Sequence, residues 1–219
     1  IHLTPFPIHN PQNPRLFPPP IPRPAPPHPL RVLLVDNNDS FTYNIVNILR
    51  ALPGVELDVV KAAHLHPGRL HEYAKLIISP GPGTPDDFPV LDAVIRHSLG
   101  TGTALLGICL GHQAICRHFG AELVRMERPV HGQRQLCLRT GTDEALFRGL
   151  PQQLEVGLYH SWAVRPESLP ACLRATGRTA ANVLMAVSHR DRPIHGVQFH
   201  PESFLTPHGR RMLENFLSA

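Results

Sequence analysis

The sequence offers little that would take the chain out of water or staple it covalently. No run approaches the roughly 18 apolar residues that a membrane helix needs, which excludes a helical membrane span. Only four cysteines occur (Cys109, Cys116, Cys137 and Cys172), and their spacing is not that of a disulfide framework. Charge is sparse at 17% of residues, and the net +4 is dispersed. With no Lys/Arg cluster interleaved with aromatics, nucleic acid is not the expected partner. Histidine is plentiful at 15, yet His64/His66 and His195/His200 lack the ligand spacing of a zinc site, so no metal is expected. No internal repeat is evident.

Residues 1–30 lack aspartate, glutamate and glycine altogether and hold twelve of the 25 prolines. Such a stretch favours extended polyproline conformations and buries too little surface to fold. It also has no uninterrupted apolar core, unlike a signal peptide. It is read as a disordered arm or linker, followed by a single domain over 31–219. That length and a 42% hydrophobic content suit one well-buried core.

From Arg31 onward, strand-like and helix-like segments alternate. Strands are expected at Val32–Val35, Leu57–Val60, Leu76–Ser79, Ala104–Ile108 and Ile194–Phe199. Helices are expected at Phe41–Leu52 with Ser40 as N-cap, at Val90–Leu99, from the cysteine at 109 to near Gly120, and at Met212–Leu217. Shorter strands are expected around Gln135–Leu138, Leu154–Leu158 and Leu184–Ser188. The fold class is therefore α/β, a mostly parallel sheet with helices on both faces plus a small antiparallel sheet. Ligands of such sheets bind beyond the carboxyl ends of the strands, where Asp36, Ser79, Cys109 and His200 are all expected.

The chemistry concentrates in Leu105-Leu106-Gly107-Ile108-Cys109-Leu110-Gly111-His112-Gln113. An apolar run meets a cysteine bracketed by glycines two residues away on each side, the pattern of a strand turning sharply into a helix. A Cβ at either glycine would collide with neighbouring elements. The expected result is an exposed sulfur at a helix N-terminus, where the dipole favours thiolate and the next N–H can bind an anion. A lone cysteine in an apolar run is more commonly a small buried hydrophobe, so a matching base decides the matter.

That base lies in Gly196-Val197-Gln198-Phe199-His200-Pro201-Glu202-Ser203. If Pro201 holds the chain extended, His200 and Glu202 project to the same side, and the carboxylate can accept the second imidazole N–H. Alone, the pair reads as solvated side chains at a strand end. A third segment, Pro80-Gly81-Pro82-Gly83-Thr84-Pro85, follows a buried strand and by itself is only a tight turn. Placed beside the cysteine, its Gly83 N–H and that of Leu110 would form an oxyanion hole.

These segments resemble the class I (triad) glutamine amidotransferases. Val35-Asp36-Asn37-Asn38-Asp39-Ser40-Phe41-Thr42-Tyr43-Asn44 is similar to the opening motif of the branch serving anthranilate synthase and aminodeoxychorismate synthase, and Tyr159-His160-Ser161 fits it too. The resemblance spans about residues 31–218, a flavodoxin-like fold. It implies Cys109 as nucleophile, His200 as general acid/base and Glu202 as its orienter. It further implies Gly81, Pro82 and Gly83 as the glutamine-holding loop, Gln113 as a substrate contact, and Ser161 and Trp162 as backbone partners of the substrate's α-groups. Asn38, Gln133, Trp162 and His195 depart from residues common in the branch, and none is a reacting group.

What the resemblance implies is hydrolysis of L-glutamine and delivery of ammonia to a chorismate-binding synthase subunit, yielding anthranilate for tryptophan or aminodeoxychorismate for folate. This chain would need no cofactor, and Mg²⁺ would belong to the synthase subunit. A reactive thiol fits a reducing, cytoplasmic compartment. The Asp36–Asn44 loop is a docking candidate, although Asp39 and Ser40 could equally be helix caps. Other readings of the same triad are a stand-alone γ-glutamyl hydrolase or an amidotransferase for another acceptor. A cysteine α/β-hydrolase expects its acid between nucleophile and histidine in chain order, which is not the order here.

Overall fold

A computed structural model describes residues 29–140 and 145–219; the proline-rich segment 1–28 lies outside the described residues. In its first half the chain forms β1 (Leu30–Asp36), α1 (Thr42–Arg50), β2 (Val55–Lys61), β3 (Lys75–Ile78), α2 (Val90–Thr101), β4 (Ala104–Ile108) and α3 (Leu110–His118). The second half adds β5 (Leu123–Arg139), β6 (Gln153–Val164), β7 (Leu173–Arg178), β8 (Leu184–His189), β9 (Ile194–Val197) and α4 (Gly209–Ser218). Strand β1 begins at Leu30, one residue inside the segment read as arm, and Leu30 pairs with Val55. Among the described residues, no helix is long and apolar enough to cross a membrane.

Among the described residues, all nine strands join one sheet in the order β2-β1-β3-β4-β9-β8-β7-β5-β6. The pairs from β2 to β9 are parallel and the pairs from β9 to β6 are antiparallel. The antiparallel strands therefore continue the main sheet. Strand β9 makes the change of direction, since it pairs in parallel with β4 on one side and antiparallel with β8 on the other.

Alternation along the central strands sorts the helices onto two faces. Val32, Leu34, Ile77 and Leu106 pack with Ile45 and Leu49 of α1 and with Met212 and Phe216 of α4. Leu33, Val35, Leu76, Ile78 and Leu105 pack with Leu91 and Ile95 of α2 and with Leu110 and Ile115 of α3. Strands covered on both sides are apolar throughout, which is why β1, β3 and β4 read as unbroken hydrophobic runs.

Two local expectations need correction. Helix α1 starts at Thr42, and Ser40 is not its cap. Instead Asp39 accepts the Phe41 N–H at 2.8 Å, and Asp36 accepts the Thr42 hydroxyl at 3.0 Å, so two aspartates anchor the loop. Strand β5 runs over 17 residues rather than four. Most of it is exposed and held by backbone pairing with β6, so it carries no hydrophobic period to read. Strand β7 had no counterpart among the expected elements.

Candidate active site

Strands β4 and β9 lie side by side in the register Gly107↔Gly196 and Ile108↔Val197. Cys109 and His200 therefore leave neighbouring strands at the same rim. The Cys109 N–H donates to the Val197 carbonyl at 2.8 Å, and the Cys109 carbonyl accepts the Gln113 N–H at 3.0 Å, opening α3. Between those bonds Cys109 is forced to φ 52° and ψ −99°, a region non-glycine residues avoid, at a cost on the order of 1–3 kcal/mol. The flanking glycines make this turn possible. A Cβ on Gly111 would lie 2.6 Å from the Ile78 carbonyl oxygen, and Gly107 is crowded just as tightly by α3.

The Cys109 sulfur does not project onto the outer surface as expected; the residue is 6% exposed. It borders instead a cavity of about 310 Å³, lined also by Gly81, Pro82, Gly83, Gln113, Arg125, His131, Tyr159, His160, Ser161 and Trp162. A larger hollow of about 450 Å³ between α2 and α3 contains none of the residues expected to react or bind. The elbow faces the smaller one.

Behind Cys109 sit His200 and Glu202, both buried, with His200 Nδ1 donating to Glu202 Oε1 at 2.7 Å. The backbone here is a turn, not the extended chain inferred from Pro201. Ser203 N–H donates to the His200 carbonyl at 3.2 Å, and the Thr206 hydroxyl donates to the same oxygen at 2.6 Å. The turn brings residues two apart together as an extended strand would. Burial opposes a charge on His200 and is the largest single influence on it. The negative charges of Cys109 and Glu202 together outweigh burial and hold the imidazole protonated well above its ordinary range. Nδ1 is committed to Glu202, so the interaction with Cys109 that favours the protonated ring falls to Nε2, the nitrogen left for proton transfer.

The loop after β3 packs against both the opening motif and the elbow helix. A Cβ on Gly81 would meet Asn37 Cβ at 2.7 Å and Leu110 Cδ2 at 2.8 Å. Gly83 has φ +72°, and Asp87 Oδ2 accepts the Thr84 N–H beside it at 2.8 Å, holding the loop as a cap of the turn Pro85–Asp87. Leu110 is the first residue of α3, so its N–H has no partner within the helix.

On the far wall, the pairing of β5 with β6 shifts register between Arg125↔Trp162 and Val130↔His160. Ser161 falls at that irregularity, outside the regular register, and lines the cavity. The Trp162 carbonyl, by contrast, is occupied by Gln113 Nε2 at 2.9 Å and His160 Nδ1 at 2.9 Å.

Several neighbours were not among the site residues expected from the sequence, although Phe41, Tyr159, His160 and Gln198 lie within the motifs that carry the resemblance. Phe41 and Tyr159 approach His200 edge-on, with ring centroids at 5.0 and 4.9 Å, and Tyr159 Oη lies 3.0 Å from Ser203 Oγ. Arg125, His131 and His160 line the cavity, and burial pushes His160 below its ordinary range. Gln198, fully buried, donates from Nε2 to Cys109 Sγ at 3.6 Å. The aromatic residue inside the polar Asp36–Asn44 motif was the one available pointer to Phe41.

The sequence profile of the family described as glutamine amidotransferase class-I matches residues 33–219. Aminodeoxychorismate/anthranilate synthase component 2 of Bacillus subtilis is 42% identical over 188 residues, which cover 85% of this chain and 95% of that protein. Aminodeoxychorismate synthase component 2 of Escherichia coli K12 is 41% identical over 188 residues, covering 85% and 98%. A solved structure from Thermoplasma acidophilum, assigned provisionally to a GMP synthase, superposes with a TM-score of 0.78 at 30% identity over 87% of this chain and 94% of that one. A Thermotoga maritima glutamine amidotransferase shares the fold, with a TM-score of 0.65 at 20% identity over 87% and 82%.

Proposed function

Because this chain belongs to the class I glutamine amidotransferases, we propose that it is the glutaminase subunit of a chorismate-using synthase, releasing ammonia from L-glutamine for that partner. The observation that carries this reading is the meeting of Cys109, His200 and Glu202 behind a cavity walled by the Gly81–Gly83 loop.

In this reading the Cys109 thiolate attacks the side-chain amide carbon of glutamine. The amide oxygen becomes an oxyanion, stabilised by the Gly83 and Leu110 N–H groups by about 3 kcal/mol each. His200 Nε2 gives its proton to the departing nitrogen, so ammonia leaves and a γ-glutamyl thioester remains. The neutral imidazole then takes a proton from water, hydroxide attacks the thioester, and glutamate leaves as thiolate and imidazolium are restored. Glu202 holds the imidazole tautomer and stabilises its charged form. Gln113 contacts the substrate and the Ser161 backbone meets its α-groups.

The partner docks, in this reading, over the Asp36–Asn44 loop. Tyr43 is 65% exposed and Phe204 is 85% exposed, large side chains on the two chain segments that the Phe41–His200 contact joins. The synthase subunit would supply Mg²⁺ and the chorismate site. Relatives bear the anthranilate name, the aminodeoxychorismate name or both, so the acceptor is assigned by the synthase that co-purifies.

The test is Cys109→Ser in the reconstituted complex. Glutamine-dependent product formation should vanish while ammonia-dependent formation stays at the wild-type level. Wild-type glutamine use by this variant would overturn the reading.

A further inference from the structure

Gln198 stands between the nucleophile and the substrate-facing wall. It leaves the end of β9, is fully buried, and its backbone N–H donates to the Met185 carbonyl at 2.9 Å. Its side chain is the middle of a hydrogen-bonded chain. Gln198 Nε2 donates to Cys109 Sγ at 3.6 Å, and Gln198 Oε1 accepts from Gln113 Nε2 at 3.2 Å. Gln113 Nε2 also donates to the Trp162 carbonyl at 2.9 Å.

Both ends of that chain, a thiolate and a carbonyl, can only accept. They fix the direction of every bond between them and hence the orientation of both amides. Gln113 uses its amino group on Gln198 and Trp162 and has only its carbonyl oxygen left for a ligand. Gln198 has its amide nitrogen committed to sulfur. A thiolate this deeply buried calls for donors beyond the His200 imidazolium, and the turn at Cys109 leaves its sulfur free to rotate about one bond. Gln198 meets both needs.

We propose that Gln198 is a further functional residue of the glutaminase site, donating to the Cys109 thiolate, holding it in the attacking position and tying it to Gln113. The proposal rests on Cys109 being the nucleophile. When sulfur bonds to the substrate carbon it loses its charge and this hydrogen bond weakens; when water cleaves the thioester, sulfur leaves as thiolate and the bond returns. Gln198 therefore acts in forming the nucleophile and in expelling it, and hardly at all in ground-state affinity for glutamine.

The test uses Gln198→Met, of similar length without a donor, and Gln198→Glu, of the same shape with the acceptor for Gln113 kept. Both are measured in the complex with the synthase subunit. In each, the pH of half-maximal Cys109 alkylation by iodoacetamide, read on the Cys109 peptide, should rise by about one unit, a tenfold change. Glutaminase kcat should fall about tenfold or more, KM should stay within about threefold, and ammonia-dependent synthesis should be unchanged. An unshifted alkylation profile with wild-type kcat overturns the proposal. So does a raised KM alone, which would confine Gln198 to supporting Gln113. If Gln198→Met does not fold, the near-isosteric Gln198→Glu decides the same question by the same readouts. A glutamine-active Cys109→Ser, by contrast, would overturn the nucleophile assignment itself.

Discussion

Gly107 and Gly111 approach each other so closely that a Cβ on Gly107 would lie 2.4 Å from both the carbonyl carbon and the oxygen of Gly111. No side-chain rotation relieves a contact with backbone. Gly107→Ala should therefore push the start of α3 off β4 and cost about 1–3 kcal/mol or more. For a chain of this size that lowers the melting temperature by about 2–4 °C per kcal/mol. Glutamine use should fall further than stability, because the displaced element carries Cys109. A Gly107→Ala variant with wild-type melting and activity would show that the crowding is not real.

Glu202→Gln keeps the shape of the carboxylate and removes its charge from His200 Nδ1. The imidazolium loses one of the two negative neighbours that outweigh its burial. Glutaminase kcat should drop about 100-fold or more, and alkylation of Cys109 near neutral pH should slow because the thiolate–imidazolium pair is weakened. Steady-state kinetics with glutamine and with ammonia check this. Equal losses with both substrates would instead indicate a broken complex.

Acid should destabilise the fold through buried neutral histidines. Burial pushes His112 down to about 3 and His195 down to about 4. Unfolding returns each to about 6.5, so below that pH the unfolded chain binds more protons and stability falls as the solution is acidified. For the fully buried His112 the loss is about 2 kcal/mol at pH 5, and His195 adds in the same direction. His200 has the opposite sign. Its raised value means its contribution is complete below about 6.5 and disappears only as pH rises through the alkaline range. Urea midpoints at pH 7 and pH 5 test this, and a His195→Gln variant should show a shallower dependence than the parent.

Replacing Tyr43 and Phe204 by serine should weaken binding of the synthase subunit by about tenfold or more and leave the isolated chain's melting unchanged. Both are exposed, and neither is part of the core. Titration of one chain with the other measures the effect. Unchanged affinity would move the docking surface elsewhere.

The parts of the site that were legible are those with a local signature. Glycines two residues either side of Cys109 mark the tight turn over a few positions, and Glu202 two residues after His200 marks their contact. Gln198, Phe41, Tyr159 and His160 lie within the quoted motifs, but what each of them touches is decided by strand pairing and loop packing across long stretches of chain. Burial of β1, β3 and β4 on both faces made them readable, whereas β5 is mostly exposed and pairs without a hydrophobic period. Ser40 looked like a cap because its type and position fit, but Asp36 and Asp39 hold that backbone instead. The paired proximity of His200 and Glu202 was inferred correctly from an extended chain that is in fact a turn.

The position of β9 has a consequence for how the molecule is made. Among the described residues the hydrogen-bonded ladder passes from the parallel half of the sheet to the antiparallel half only through β9, which follows the other described strands along the chain. A nascent chain that has reached β8 already contains Cys109, but its two half-sheets are not yet joined and its base has not been translated. Such late, long-range pairing is slow compared with forming local helices. In the proposed reading, Cys109 therefore meets its base only in the step that joins the two half-sheets into one.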